Sequence, residues 1–316
     1  MKALITGITG FVGSHLAEYL LSKDFEVHGT IRWRSNVDNI KHIIPKLKLH
    51  ECDLTDPFAV NKLIEEIKPE YIFHLASQSY VYSSWISPSQ TITNNVISEL
   101  NLLEAVRKYS QNSKIQIACS SEEYGYVAPD EVPITESNPI RPLSPYAVSK
   151  VTQDFLAYQY FKSYGLHIIR TRAFNHSGPR RGEVFVISNF AKQIAEIEKG
   201  YREPIIKVGN LDAIRDFTDV RDVVIAYLLA VEKCEAGEVY NISSGNGIEI
   251  KNILKKLMEM STKEIKIEND PLRMRPSDVN ILLGDSTKFM QKTGWKPEIP
   301  IEKTLKDTLD YWRLKL

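Results

Sequence analysis

The first thirteen residues, MKALITGITGFVG, constrain the fold more than any other stretch of this chain. A short apolar run breaks into three glycines, Gly7, Gly10 and Gly13, and a helical pattern follows at once over residues 14–22. A buried strand, a glycine turn and a helix start together hold a pyrophosphate, because glycine permits close backbone approach and the helix N-terminus offers free N–H donors. The spacing is GxxGxxG rather than GxGxxG, so a purely structural turn is the alternative, but its position between strand and helix favours a nucleotide site.

Short apolar runs of strand type alternate with amphipathic helical patterns along the chain. This alternation predicts a parallel sheet covered by helices on both faces, with ligands beyond the carboxyl ends of its strands. We therefore predict an α/β fold: a Rossmann-type doubly wound parallel sheet with a smaller C-terminal α/β substrate lobe. The predicted strands are 26–31, 47–51, 70–75, 114–119, 166–171, 205–208, 237–242 and 264–267, and the predicted helices are 57–67, 90–109, 145–164, 183–199 and 300–316.

The division between the two lobes falls near residue 170. Residues 1–170 are expected to bind the dinucleotide and residues 171–316 mainly the substrate, with short returns of the later chain to the first lobe. Between them, residues 79–85 form a polar and aromatic loop that is a candidate wall for a sugar.

Composition excludes several functional classes. The chain has 316 residues, 43% of them hydrophobic and 25% charged, as is usual for a soluble globular protein. Its formal net charge is zero without a basic block, which disfavours a nucleic-acid partner, and no apolar run is long enough to cross a bilayer. Three scattered cysteines, Cys52, Cys119 and Cys234, predict reduced thiols in a cytoplasmic enzyme. The seven histidines lack ligand spacing, so no metal is expected.

The residues after the second predicted strand indicate which dinucleotide is bound. A site for NAD places Asp or Glu there, which accepts a hydrogen bond from the ribose 2′-hydroxyl. This chain has Arg32, Arg34 and Ser35 instead, and guanidinium groups form charge-assisted hydrogen bonds with a 2′-phosphate. We therefore predict NADP, with a solvated basic loop as the alternative. Asp53, after the third strand, is a candidate acceptor for the adenine amino group and equally a helix cap.

Two separate stretches supply the candidate catalytic residues. The segment CSSEEYG, which follows the fifth strand, contains Ser120 and Glu122. Tyr146 and Lys150 lie four residues apart at the start of a predicted helix, so they share one helical face. An ammonium group beside a phenol lowers the phenol pKa, which lets the tyrosine move a proton near neutral pH. A YxxxK pattern is common by chance, but the preceding glycine turn and serine-rich strand end make it a strong signal.

Taken together, the motifs TGITGFVG, SSEEYG and SPYAVSK resemble those of the extended short-chain dehydrogenases/reductases that modify nucleotide sugars, and the resemblance covers essentially the whole chain. Within that family the chain is most similar to the GDP-mannose 4,6-dehydratases and the GDP-4-keto-6-deoxymannose reductases. The residues that carry this closer resemblance are 32–35, 175–183, 215–222 and 275–279.

The resemblance implies a role for each candidate. Tyr146 is the base for hydride transfer at sugar C4, Lys150 its electrostatic partner, and Ser120 binds the C4 oxygen, while Glu122 removes the C5 proton. The implied cofactor-binding residues are Gly7, Thr9, Gly10, Phe11, Val12, Gly13, Arg32, Arg34, Ser35, Asp53, Leu54, Leu75, Ala76, Ser77, Asn95, Tyr146 and Lys150. The implied contacts with a GDP-sugar are Ser83, Asn175, Val184, Arg215 and Arg275.

Three activities fit this resemblance: a 4,6-dehydratase that recycles bound NADP, an NADPH-consuming 4-keto reductase, and a non-catalytic NADP-sensing protein. Glu122 does not separate the first two, because the reductases resemble SSEEYG as well. The motifs at 32–35 and 179–183 favour the dehydratase, whereas 215–222 and the modest length resemble the reductase. After Phe185 and Val186 the dehydratase pattern Thr-Arg-Lys is replaced by residues 187–189, Ile-Ser-Asn, which loses a basic residue. An intact Ser, Tyr and Lys set argues against the sensor.

The assembly is also implied by the resemblance. Relatives pair the helices at 90–109 and 145–164 into an intersubunit four-helix bundle, so a homodimer is expected. The loop at 32–35 is a candidate for an additional contact in a tetramer.

Overall fold

A seven-stranded, all-parallel sheet forms the centre of the structure, a computed structural model that describes residues 1–273 and 279–316. The first and fourth strands of the chain are neighbours in this sheet, and the strands that follow each of them extend the sheet in opposite directions, as in a doubly wound fold. The strands of the described residues are β1 (Lys2–Thr6), β2 (Glu26–Ile31), β3 (Lys48–Glu51), β4 (Tyr71–His74), β5 (Lys114–Ser120), β6 (His167–Ala173), β7 (Asn175–Ser177), β8 (Ile205–Val208), β9 (Ile214–Asp219), β10 (Val239–Ile242), β11 (Gly247–Glu249), β12 (Lys266–Asn269) and β13 (Ile281–Leu282).

Helices cover both faces of this sheet, and local signals fix several of their ends. The Asp56 carboxylate accepts a hydrogen bond from the Phe58 N–H at the start of the second helix, and the Ser144 hydroxyl accepts one from Ala147 at the start of the sixth. The helices of the described residues are α1 (Phe11–Leu21), α2 (Pro57–Ile67), α3 (Val81–Ile86), α4 (Pro88–Ile92), α5 (Ser98–Tyr109), α6 (Pro145–Tyr164), α7 (Val186–Glu198), α8 (Val220–Lys233), α9 (Ile250–Glu259), α10 (Thr287–Thr293) and α11 (Ile301–Lys315).

The large sheet runs in the order β3–β2–β1–β4–β5–β6–β10. Adjacent residues of β1 point to opposite faces: Leu4 packs in the cluster formed with α2, α5 and α6, and Ile5 packs in the cluster formed with α1 and α8. Burial on both faces is what a parallel sheet between two helical layers requires, and the predicted Rossmann-type fold is confirmed.

A second lobe is built from the later part of the chain. Strand β9 pairs with β7, β11 and β13, while β8 pairs with β12. Helices α7, α9 and α11 pack on these strands around a third apolar cluster that includes Ile194, Leu254 and Leu309. The chain also returns to the first lobe, since β10 pairs with β6 at the end of the large sheet.

Four predicted helices and strands have the same bounds as in the structure, and other predicted segments differ from it. The predicted strands 26–31 and 205–208 and helices 57–67 and 145–164 are confirmed without change as β2, β8, α2 and α6. The predicted single helix over 90–109 is wrong: α4 and α5 are separated by a wider helical turn, Thr93–Ile97. The predicted loop at 79–85 is also wrong, because α3 occupies most of it. Strand β9 and helix α8 were not predicted at all.

Among the described residues, none of the helices has the length and apolar character needed to span a membrane.

Replacement of Ile64 on α2 by alanine tests the layer assignment. Ile64 is fully buried, so Ile64→Ala should lower the free energy of unfolding by about 2–5 kcal/mol through lost burial and a residual cavity. Phe58 on the same helix is 83% exposed, and Phe58→Ala should change that free energy by about 0.5 kcal/mol or less. Denaturant titration measures both, and equal losses would contradict this packing.

Candidate active site

The glycine turn after β1 brings backbone atoms unusually close together. Gly7 adopts φ +70°, and its N–H donates to the Thr30 hydroxyl at 3.1 Å. A Cβ on Gly13 would lie 2.4 Å from the Gly7 carbonyl oxygen, so only glycine lets α1 start here. Gly10 caps α1 without a side-chain hydrogen bond, which leaves first-turn N–H groups for an anion. The turn therefore has the shape and the donors that a dinucleotide pyrophosphate requires.

A cleft of about 770 Å³ opens beside this turn, at the carboxyl ends of β1, β2, β4 and β5. The structure brings together here most of the residues predicted for cofactor, substrate and catalysis. Those lining the cleft are Gly7, Thr9, Gly10, Phe11, Val12, Gly13, Arg32, Ser35, Asp53, Leu54, Leu75, Ala76, Ser77, Ser83, Ser120, Glu122, Tyr146, Lys150 and Asn175.

Five predicted residues lie elsewhere. Arg34 borders an adjoining recess with Arg32 and Ser35, while Val184 and Arg215 line a second cavity. Asn95 is fully buried behind the cleft, where its amide bonds to Gln78 and Ser149. Arg275 lies outside the described residues.

The arginine loop after β2 is open to solvent and ordered by local contacts. The Arg32 N–H donates to the Ser35 hydroxyl at 2.9 Å, and the Arg34 guanidinium stacks on Trp33 at 4.1 Å. Nearby, the Asp53 carboxylate accepts two hydrogen bonds from Thr55, which lower the pKa of Asp53. Two cations and a hydroxyl thus border the recess that adjoins the cleft, and Arg32 and Ser35 also line the cleft itself.

The candidate catalytic side chains meet where β5 ends and α6 begins. Ser120 is the last residue of β5, and its hydroxyl accepts a hydrogen bond from the Glu122 N–H at 3.2 Å. Tyr146 and Lys150 lie in the first two turns of α6, and both are buried. The Lys150 ammonium donates to the Ala118 carbonyl oxygen at 2.7 Å, which holds it against the strand.

The net direction of the Tyr146 pKa is opposite to the predicted lowering. Burial raises the pKa of Tyr146, while the Ser120 hydroxyl and the Arg181 guanidinium oppose that rise. Burial likewise lowers the pKa of Lys150. Burial of the phenol thus opposes its ionisation in the free chain, and the Arg181 guanidinium is a positive charge that favours it.

A buried ion cluster supports the turn that carries Ser120 and Glu122. The Glu123 carboxylate accepts from the Ser120 N–H at 2.8 Å and from Arg172 at 3.0 Å, and Arg172 also donates to Asp154 at 2.9 Å. Burial and the neighbouring Asp154 raise the pKa of Glu123, and the Arg172 guanidinium opposes that rise. The cluster ties β5, β6 and α6 together directly beneath the candidate catalytic residues.

The sequence analysis missed Arg181 as a site residue. Its guanidinium stands 3.5 Å from the centre of the Phe185 ring and 4.9 Å from that of Phe11. Burial lowers its pKa to about 10, so it is charged at neutral pH, and no carboxylate of the described residues pairs with it. The signal was the second arginine of the motif at 179–183, which was used only as a mark of family resemblance. His176, stacked on Phe11, lines the same wall and was also missed.

A second cavity of about 600 Å³ adjoins the cleft on the side of the smaller lobe. Glu122, Asn175 and Arg181 border both cavities, so they form the boundary between the two. The cationic side chains around the second cavity suit an anionic ligand. They are Arg181, Lys192, Arg202, Lys207, Arg215 and Arg273.

The segment that departs from the dehydratase pattern has a structural role. The Ser188 hydroxyl donates to the Arg181 carbonyl oxygen at 2.6 Å and accepts from the Trp312 indole at 2.9 Å. The Asn189 amide donates to the Glu183 carbonyl oxygen and accepts from Arg273. These contacts fasten the loop that carries Arg181 to α11.

Comparison with known proteins places the chain among nucleotide-sugar enzymes. The family model described as GDP-mannose 4,6 dehydratase matches residues 4–308. A GDP-6-deoxy-D-mannose reductase of Pseudomonas aeruginosa is 34% identical over 100% of this chain and 98% of its own length. A GDP-mannose 4,6-dehydratase of Yersinia enterocolitica is 36% identical over 96% of this chain and 91% of its own length.

A solved structure agrees with these matches. The structure of RMD from Pseudomonas aeruginosa complexed with NADPH aligns with a TM-score of 0.86 at 33% identity, over 100% of this chain and 99% of that one. With a family model matched from residue 4 to residue 308, the chain belongs to the GDP-mannose 4,6-dehydratase family.

Proposed function

We propose that this chain is an NADP-dependent GDP-mannose 4,6-dehydratase. The observation that carries the proposal is the match of the GDP-mannose 4,6 dehydratase family model to residues 4–308. Glu122 lies on the boundary of two adjoining cavities, in the same cleft as Ser120, Tyr146 and Lys150, and supplies a candidate base. A simple ketone reduction needs only the serine, tyrosine and lysine, whereas elimination of water needs a further base next to the sugar. Family membership supports the same reaction.

The cleft fits NADP. Pyrophosphate would be held by the glycine turn and the start of α1, and the 2′-phosphate by Arg32, Arg34 and Ser35. NADP⁺ bound there would supply a hydride acceptor for sugar C4 and, once reduced, the hydride donor for C6, together with a positive charge beside the phenol.

The side chains of this chain then move the protons. With that positive charge in place, the ionised Tyr146 would accept the proton of the C4 hydroxyl, whose oxygen Ser120 would hold by a hydrogen bond. Loss of the C4 hydride then makes the carbon a ketone. The ketone makes the C5 hydrogen acidic, so the Glu122 carboxylate can remove it. The bond from C6 to its hydroxyl then breaks, and the oxygen leaves as water with the proton from Glu122. Hydride addition at C6 and a solvent-derived proton at C5 complete the 4-keto-6-deoxy product, and Tyr146 releases to solvent the proton that it took from the C4 hydroxyl.

The second cavity would hold the GDP part of the substrate. A diphosphate needs cations, and Arg181 stands at the boundary between the cavities without a carboxylate partner among the described residues. Arg215, Val184 and Asn175 line the same cavity. In this proposal residues 1–170 mainly bind NADP, and residues 171–316 mainly bind the nucleotide sugar.

We further propose a homodimer that forms through α6. Phe155 and Tyr158 on that helix are 55% and 40% exposed and supply apolar surface for such a contact. The three cysteines are buried and unpaired, which supports a reducing, cytoplasmic location.

One incubation tests the main proposal. Purified enzyme is given GDP-mannose without added NADPH, and a 4-keto-6-deoxy product should accumulate without net change in nicotinamide absorbance. Stoichiometric NADPH oxidation with a 4-keto-6-deoxy substrate, and no action on GDP-mannose, would instead identify a reductase.

Glu122→Gln isolates the elimination step. Because the amide cannot accept the C5 proton, formation of the 4-keto-6-deoxy product should fall by about 10²-fold or more. Reduction of a 4-keto sugar with NADPH should change by less than about threefold, since it does not need this base. Asp130→Asn, an exposed carboxylate of the following loop, serves as the control. Equal loss of both reactions would contradict the assigned role.

Arg32→Ala combined with Arg34→Ala tests the cofactor preference. Loss of two charge-assisted contacts should weaken NADPH binding by about tenfold or more and leave NADH binding nearly unchanged. Fluorescence titration of the reduced cofactors measures both constants. The exposed Lys46→Ala variant should bind NADPH like the parent, and an unchanged preference in the double variant would refute the 2′-phosphate assignment.

A further inference from the structure

Arg180, the residue before Arg181, has a strained backbone. Its φ of +71° lies in the left-handed region, which residues with a Cβ rarely adopt. The turn is closed by the Arg181 N–H, which donates to the Gly178 carbonyl oxygen at 3.3 Å. Such a conformation persists only where the surrounding contacts hold it, and it is common beside ligand sites.

The Arg180 side chain supplies the contacts that hold this turn. Its guanidinium is only 15% exposed and donates to the Glu18 carboxylate at 2.7 Å, to His15 Nδ1 at 3.2 Å and to the Asn39 carbonyl oxygen at 3.1 Å. The Asn39 amide in turn donates to the Thr9 carbonyl oxygen, in the glycine turn, at 3.0 Å. One side chain from the second half of the chain thus joins α1 to the loop after β2.

His15 holds both residues that precede Arg181. Its Nε2 lies 2.9 Å from the Pro179 carbonyl oxygen, which can only accept, so the ring proton is on Nε2 and Nδ1 accepts from Arg180. Burial, together with the charge of Arg180, lowers the pKa of His15 to about 4. The ring is therefore neutral at pH 7 and keeps this acceptor.

The same face of α1 receives both arginines. Phe11, His15 and Glu18 share that face, because they are separated by four and three residues. The two polar members bind Arg180, while the Phe11 ring lies 4.9 Å from the Arg181 guanidinium. Release of Arg180 from this face would therefore free the turn that places Arg181 over Phe11.

The two neighbouring arginines differ in how their charges are compensated. Glu18 pairs with Arg180. Within residues 1–273 and 279–316, no carboxylate pairs with Arg181, whose guanidinium borders both cavities. The charge of Arg181 is therefore available to an anionic ligand, whereas that of Arg180 is already compensated.

We propose that Arg180 is a positioning residue: it fastens the strained turn to α1 and thereby places the Arg181 guanidinium where it binds a diphosphate at the boundary of the two cavities. This inference rests on the proposed function, which brings two diphosphates to that boundary, one from the nucleotide sugar and one from the dinucleotide. Both offer the same chemistry to a guanidinium group, and separate titrations distinguish them.

A double-mutant cycle tests this role. Calorimetry gives the dissociation constants of GDP and of NADPH for the parent, Arg181→Ala, Arg180→Ala and the double variant. Arg181→Ala should weaken at least one ligand by about tenfold or more, and Arg180→Ala should weaken the same ligand by about threefold or more. In the Arg181→Ala background, Arg180→Ala should add less than about twofold, because it acts through Arg181.

The ligand that both single variants weaken identifies the source of the diphosphate, and either source supports the proposal. Arg107→Ala is the matched control, because Arg107 also pairs with a carboxylate but lines neither cavity, and it should bind both ligands like the parent. Multiplying losses in the double variant, or parent affinity for both ligands in either single variant, would overturn the proposal.

Two further variants separate positioning from stability. Arg180→Gly removes the guanidinium but suits the left-handed φ, so its unfolding temperature should stay within about 3 °C of the parent while its affinity falls as in Arg180→Ala. Arg180→Lys keeps the charge beside Glu18 but lacks the planar fork for three acceptors, so its affinity should lie between those of Arg180→Ala and the parent. Affinities that simply follow unfolding temperature across these variants would refute a positioning role.

These binding constants do not require turnover. A protein that shows the expected cycle but does not act on GDP-mannose would contradict the proposed function and support the placement of Arg181 by Arg180.

Discussion

The turn that carries Ser120 and Glu122 depends on the hydrogen bonds of Arg172 to two buried carboxylates. Glu123 and Asp154 come from different elements, and one guanidinium holds both at hydrogen-bond distance. Glu123 in turn accepts from the Ser120 N–H, so the arginine fixes the backbone of the serine that we propose holds the sugar oxygen. Such a cluster is costly to desolvate and stays favourable only while each member keeps its partners. Its value here is positional, since it ties two strands to the helix that carries Tyr146 and Lys150.

The fold could be predicted in the first half of the chain because its signals are local. The glycine turn, the proline and serine at helix starts, and the alternation of short strands with helices are all visible in sequence. The helix over 90–109 was mispredicted because periodicity does not reveal the wider turn that lets Asn95 reach Gln78 and Ser149. Strand β9 was missed because its partners lie far along the chain.

The site residues that could be predicted were likewise those with local sequence signals. Tyr146 and Lys150 could be found from their spacing, and Ser120 and Glu122 from a strand end. Arg181 could not be assigned a role, since its proximity to Phe11 depends on how two remote segments pack. The pKa of Tyr146 is raised rather than lowered, because burial of the phenol outweighs the opposing effects of the Ser120 hydroxyl and Arg181.

Because β10 returns to the large sheet, the first lobe is not complete without a strand from the later part of the chain. Strand β10 covers the outer side of β6, so a fragment that stops after β6 would present an unpaired, apolar strand edge. Such an edge recruits other chains and promotes aggregation. The first lobe is therefore not expected to fold on its own when the chain is truncated after β6. Recombination between relatives would have to exchange both lobes together.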